Sequence, residues 1–207
     1  EQDGLSSGTT GRSHGLLHSG ARYAESDRVG AEECIEENEI IRSIAGECIR
    51  DEGGLFLQLS EDDPAYFEEK RAACEEIGIE VEEIDPETVR EMVPDVTDDL
   101  ERAMRVPDAS IYPSRLVAAN AADAEDHGAT IHPHGPVKNI HVSDGKITEA
   151  HLGGDVRRII KPTYVVNAAG AWAGKVANMA DVEVGMAPAR GVMVSVEYDQ
   201  LDPVLNR

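Results

Sequence analysis

The sequence predicts a mixed α/β protein, on three observations. Capped, helix-length stretches alternate with short apolar runs along the chain. Asp144-Gly145 and Gly153-Gly154 separate three brief strand patterns, each pair a hairpin turn signal. Finally, Asn167-Ala168-Ala169-Gly170 puts small residues where an apolar run gives way to a helix. The 41% hydrophobic content of the 207 residues suits a globular protein with a sizeable core.

Taken in order, Ser26 or Asp27 caps a helix running to about Ala45, with Cys34, Ile41, Ile44, Ala45 and Cys48 on one side. Gly53-Gly54 breaks the chain, and residues 55–59 form a strand. Asp63-Pro64 opens a second helix that turns Phe67, Cys74 and Ile77 inward and stops at Gly78. Residues 79–81 are expected as a short strand, 86–92 as an acidic helix ended by Val93-Pro94, and 103–106 as a strand. An alanine-rich helix over 114–127 closes at Gly128. Residues 129–137 lead through a strand into the meander 137–142, 147–152 and 156–160. Residues 163–167 form a buried strand, a helix begins at Gly170, and 187–196 is a last strand.

Charge narrows the function. Forty-one acidic residues face 19 basic ones, a formal net charge of −22, which opposes binding to nucleic acid or anionic lipid. The acids fall largely on helix faces, as in Glu32-Glu33, Glu36-Glu37 and Glu68-Glu69. Such a surface suits a high-salt cytoplasm, where a screening length of roughly 3 Å at 1 M damps self-repulsion; a merely acidic protein is the plainer alternative. No run reaches the roughly 18 apolar residues of a membrane span, and no secretory signal opens the chain. The absence of a starting Met points to a piece of a longer protein. Cys34, Cys48 and Cys74 lack metal-type spacing and pack as small apolar groups, which fits a reducing compartment.

Residues 8–23 are the stretch richest in chemistry. Gly8, Gly11, Gly15 and Gly20 permit close backbone approach. Amides beside Ser7, Thr9 and Thr10 suit phosphate oxygens, and His18, Arg22 and Tyr23 follow with titratable and donor groups. This run closely resembles the FAD-proximal segment of the A subunit of anaerobic glycerol-3-phosphate dehydrogenases, in the D-amino-acid-oxidase-like flavoproteins. The resemblance continues in Glu33-Cys34-Ile35-Glu36-Glu37-Asn38, Gly54-Leu55-Phe56, Glu61-Asp62-Asp63, Val106-Pro107-Asp108 and Val166-Asn167-Ala168-Ala169-Gly170.

The resemblance implies an incomplete Rossmann-like FAD domain with a β-meander crossover, interleaved with an antiparallel-sheet substrate domain. Residues 1–52 and 111–175 would be the FAD-domain pieces, and 53–110 and 176–207 the substrate-domain pieces. The Gly-x-Gly-x-x-Gly turn of the family is missing. Glu1 would meet the adenosine ribose, although a frayed terminal acid explains it almost as well. Ser7, Gly8, Thr9, Thr10, Ser13, His14, Gly15 and Leu16 would line the cofactor, with the backbone of Val137 at the adenine. Ala168, Ala169, Gly170 and Trp172 would approach its pyrophosphate from a helix start.

On the substrate side, Arg22 offers a fork for a phosphate ester and Tyr23 a donor to a hydroxyl. Arg190 would neutralise phosphate or reduced flavin, or be structural. His18 belongs to the flavin environment without being fixed as the base. The aerobic branch of these dehydrogenases has a histidine at the position of Met193. No metal site is expected: His132 and His134 are too few for zinc, and His141 and His151 read as exposed hairpin positions.

The implied activity is oxidation of sn-glycerol 3-phosphate to dihydroxyacetone phosphate, with electrons passed to quinone through partner subunits. Its implied place is the cytoplasm or the inner face of the cell membrane. A flavoprotein oxidising an amine or a 2-hydroxy acid, or a catalytically silent subunit-interaction fragment, are the alternatives.

Overall fold

A computed structural model describes residues 2–198 and 202–207. In chain order it contains β1 (Leu16–Leu17), α1 (Arg28–Ile44), β2 (Ile49–Arg50), β3 (Gly54–Leu59), α2 (Pro64–Ile77), β4 (Glu82–Ile84), α3 (Pro86–Met92) and β5 (Leu100–Val106). There follow β6 (Ala109–Ile111), α4 (Pro113–Asp126), β7 (Val137–Ser143), β8 (Lys146–Leu152), β9 (Ile159–Ile160), α5 (Ala173–Ala177) and β10 (Val204–Asn206). The chain divides into two compact units. One takes the described residues of Glu1–Ser13 and Pro113–Val194, the other those of His14–Tyr112 and Ser195–Arg207.

The second unit is built on the sheet β10-β3-β5-β4, antiparallel except for the β10–β3 pair. Alternation along β3 sends Phe56 to one face and Leu55 and Leu57 to the other. On the Phe56 side, Phe67 and Cys74 of α2 pack with Met104, Val106 and Ile79. On the Leu55 side, Val89 of α3 packs with Leu100 and Ala103. Because both faces are covered, the apolar run Leu55-Phe56-Leu57 shows no polar alternation. A smaller sheet, β1-β6-β2, ties residues 16–17 and 49–50 to 109–111. It keeps residues 14–52 in this unit, and the seams between the units fall at 13/14, 112/113 and 194/195.

Helix caps follow the sequence closely. The Asp27 carboxylate accepts from Gly30 N–H, Asp63 from Ala65 N–H and Asp85 from Thr88 N–H. Gly78 ends α2 at φ +91°. Burial on α1 differs from expectation. Its inward positions are Ala31 and Asn38, with Ile35 partly buried, while Ile44 is 69% exposed. The helix stops before Ala45, and Cys48 is buried in a 3-10 turn beyond it. Cys74 is also buried, and burial foremost pushes its thiol up to about 11, leaving it inert as a nucleophile near neutral pH. The strand expected at 79–81 forms three residues later, at β4, where the register with β5 begins.

In the first unit, β7, β8 and β9 form the expected antiparallel meander. Asp144 and Gly145 both take positive φ, at 51° and 72°, as the tight hairpin turn requires. Three expected strands are corrected. Residues 129–136 are irregular, because Pro133 and Pro136 remove donors and His134 sits at φ +54°. Residues 163–167 and 187–196 form no strand and have no ladder partners among the described residues, and their apolar side chains stay outside. Tyr164 and Val166 are 88% and 89% exposed. An apolar run becomes a strand only where a neighbouring backbone accepts its hydrogen bonds. The segment after Gly170 is a 3-10 turn, Gly170–Trp172, then the single-turn α5 and a second 3-10 turn, rather than one continuous helix.

Candidate cofactor site

In the first unit the loop before the 3-10 turn Thr10–Arg12 folds over itself. The Arg12 guanidinium donates to the carbonyls of Ser7, at 2.5 Å, and Gly8, at 3.2 Å. A Cβ on Gly11 would lie 2.1 Å from the Ser6 carbonyl oxygen, so only glycine lets the loop close this tightly. A Cβ on Gly8 would lie 3.5 Å from the Trp172 ring, which places the two in register without a clash. Trp172 follows an Asn-built turn: Asn167 accepts from Ala169 N–H and donates to the Ala173 carbonyl at 2.8 Å, while Gly170 takes φ +53°.

These segments line a cavity of about 500 Å³, inside the range of cofactor sites. Ser7, Gly8, Val137, Ala169 and Trp172 contribute to its wall, together with two cations, Arg12 and Lys175. Small residues, one aromatic plate and two positive side chains are a donor set that fits a dinucleotide such as FAD. Close approach is possible at Gly8 and Ala169, the indole offers a stacking face, and the cations match a pyrophosphate. A second concavity of about 560 Å³, in the other unit, suits an anion poorly, since Asp51, Glu52, Glu80 and Glu82 line it against one Arg105.

The second unit positions His18 from beneath. Asp108, 2% exposed, takes the Ser19 N–H and hydroxyl on one oxygen, each at 2.7 Å. Its other oxygen lies 3.5 Å from His18 Nδ1 and accepts from Asn206 at 3.3 Å. The His18 approach is an ion-pair distance when the ring is protonated, too long for a well-formed hydrogen bond. Burial pushes the Asp108 carboxyl up, but His18 and the two Ser19 donors together outweigh it and hold it below the usual range. Asn38 donates to the carbonyls of Leu17, His18 and Pro107, and its own oxygen accepts from Arg42 at 2.6 Å. His14 packs edge-on against His18, ring centroids 5.2 Å apart. Burial, then His18 and Arg22, hold its imidazole below the usual range. Arg22 and Tyr23 are exposed a few residues further on.

The expected site residues thus distribute between the units. Ser7, Gly8, Val137, Ala169 and Trp172 share the cavity wall; Thr9, Thr10, Ser13, Ala168 and Gly170 lie nearby in the chain but off that wall. His14, Gly15, Leu16, His18, Arg22 and Tyr23 belong to the second unit, and Arg190 to an exposed irregular segment of the first. Glu1 lies outside the described residues. Because α5 has only five residues, the expected helix N-terminus at Gly170 supplies little dipole; Arg12 and Lys175 are the positive charges on the wall, beside one acid, Asp3. Sequence reasoning passes over both cations. It also passes over Asp108 and Asn38, although those two stand inside motifs that carry the resemblance.

Fold and cavity together fit a protein that binds a dinucleotide. The family model described as FAD dependent oxidoreductase, DAO, matches residues 1–206, so the chain belongs to that FAD-dependent family. Across its full length the chain is 45% identical to the A1 subunit of anaerobic glycerol-3-phosphate dehydrogenase from Haloferax volcanii. It is 41% identical, again over 100% of the chain, to the A subunit of the Escherichia coli K12 enzyme of that name. It spans only 37% and 39% of those relatives. Among solved structures, L-proline dehydrogenase from P. horikoshii superposes with a TM-score of 0.74 at 23% identity, over 89% of this chain and 49% of that one. A glycerol-3-phosphate dehydrogenase from Bacillus halodurans, complexed with FAD, gives 0.62 at 18%, over 87% and 30%. These two likenesses are likenesses of fold. No helix among the described residues is long and apolar enough to cross a membrane.

Proposed function

We propose that this chain supplies part of an FAD-dependent enzyme that oxidises sn-glycerol 3-phosphate to dihydroxyacetone phosphate. The observation that carries the reading is the 41–45% identity, along the whole chain, to the A and A1 subunits of anaerobic glycerol-3-phosphate dehydrogenases. FAD, when bound, accepts the hydride from the carbinol carbon. Ser7, Gly8, Ala169 and Trp172 hold the cofactor, with Arg12 and Lys175 opposing pyrophosphate charge and the Val137 backbone meeting the adenine. Arg22 engages the phosphate ester, Tyr23 orients the hydroxyl, and Arg190 neutralises developing negative charge. His18, held over Asp108, stays in the flavin environment. Residues 1–52 and 111–175 serve the cofactor, and residues 53–110 and 176–207 serve the substrate. The relatives' designation as subunits supports partner subunits; in this reading those partners carry electrons to quinone at the inner face of the membrane. The −22 charge and the Haloferax relative support a high-salt cytoplasm.

The test is anaerobic addition of glycerol 3-phosphate to the flavin-loaded protein that carries this chain, in high salt. Bleaching of the flavin band is expected. In Arg22→Ala the flavin should remain bound while the substrate concentration for half-bleaching rises at least tenfold. Bleaching by an amine or a 2-hydroxy acid instead would overturn the substrate assignment.

A further inference from the structure

The meander of the first unit gathers three ligand-type side chains on one face. His141 of β7 is the cross-strand partner of Glu149 on β8. His151 follows Glu149 by two residues, so alternation returns it to the same side of the sheet. The two imidazole centroids are 4.5 Å apart, and His151 Nε2 lies 2.9 Å from a Glu149 oxygen. One ligand atom from each of the three residues falls within 4.8 Å of the others. Ligands at metal distances of about 2.0–2.2 Å stand roughly 3–3.5 Å from each other, so small rotamer adjustments at this half-exposed face close the set. Lys161 approaches the other Glu149 oxygen at 3.8 Å, which leaves the first oxygen for a ligand bond. Asn139, the partner of His151 across the ladder, adds an amide 3.1 Å from His141 Nε2.

We propose that His141, Glu149 and His151 bind one divalent transition-metal ion, with water completing the shell. Two imidazoles and a carboxylate select the zinc, cobalt, nickel and copper group over magnesium and calcium, which prefer all-oxygen sites. The ion would bridge β7 to β8 beside the register shift between His141 and Val142, where the ladder is locally interrupted. It is independent of the flavin site and of the reaction proposed above.

The chelator-treated protein is titrated with Co2+, read by its visible d–d absorption, and with Zn2+ by calorimetry. One equivalent should bind, and millimolar Mg2+ should not compete. His141→Ala and His151→Ala should each weaken binding at least tenfold, Glu149→Gln less, with unchanged far-ultraviolet dichroism. Zn2+ should also slow amide exchange in β7 and β8 at least tenfold in the unaltered protein, a readout that needs no variant. Undiminished binding in the double His141→Ala/His151→Ala variant, or none at millimolar Zn2+, overturns the proposal. So does loss of binding in His132→Ala with the three ligands intact.

Discussion

The two units fold by different means. In the unit holding β3 and β5, Leu55, Met104, Val89 and Val106 are essentially sealed from water, and every strand of its main sheet has a ladder partner. In the other unit, Ile140 is the one buried large apolar side chain among the described residues, while Val166, Val192 and Val194 are more than four-fifths exposed. The apolar content of the strand-like segments is similar. What differs is whether a second backbone lies alongside, and burial follows the pairing rather than the hydropathy.

The largest expected effect lies in the paired sheet. Met104→Ala opens a void between β5 and α2 and should cost about 2–5 kcal/mol in a urea melt. A loss below about 1 kcal/mol would mean that this core is not packed as described. Asp108→Ala should cost about 1.5–3 kcal/mol, since it strands two Ser19 donors in a buried place. Its pH signature is specific. The folded carboxyl titrates below its unfolded value near 3.9, so its contribution is complete above that value and disappears as pH falls through the folded pKa. The wild-type and variant stabilities should therefore converge in acid.

A smaller effect tests the less buried unit. Gly11→Ala should cost about 1–2 kcal/mol, because a Cβ there must push Ser6 aside. Flavin retention should fall with it if the loop holds the cofactor, and gel filtration followed by an absorbance spectrum reads both. The smallest effect is Val166→Ser, expected within about 0.5 kcal/mol because the side chain faces water. A cost like that of Met104→Ala would erase the contrast between the units.

Much of the second unit was legible in the sequence. Asp27, Asp63 and Gly78 mark helix ends by local hydrogen bonding and a left-handed backbone, which need no knowledge of the rest of the fold. The Asp144-Gly145 hairpin was legible for the same reason. The strands expected at 163–167 and 187–196 were not, because alternation and apolar content state what a segment can do once paired, not whether a partner exists. At the candidate site, glycines and small residues announced the loop, but Arg12 and Lys175 sit among many exposed charges with no local mark. Asn38 looked like one polar residue in an acidic helix; only contacts sixty-nine residues away reveal its burial. His141, Glu149 and His151 are separated by eight and two positions, a spacing that means nothing until the hairpin register is known.

Asn38 has one more implication. Its amide meets three main-chain oxygens, from Leu17, His18 and Pro107, while its own oxygen receives Arg42. Aspartate, though nearly isosteric, would turn a negative charge toward those three oxygens, and leucine would remove the donor they share, leaving Pro107 only its bond from Arg42 at 3.0 Å. The segment carrying His18 and the one leading into Asp108 therefore share this carboxamide as well as the Ser19–Asp108 bonds, so tolerance to change at this helix position should be far narrower than its acidic neighbours suggest.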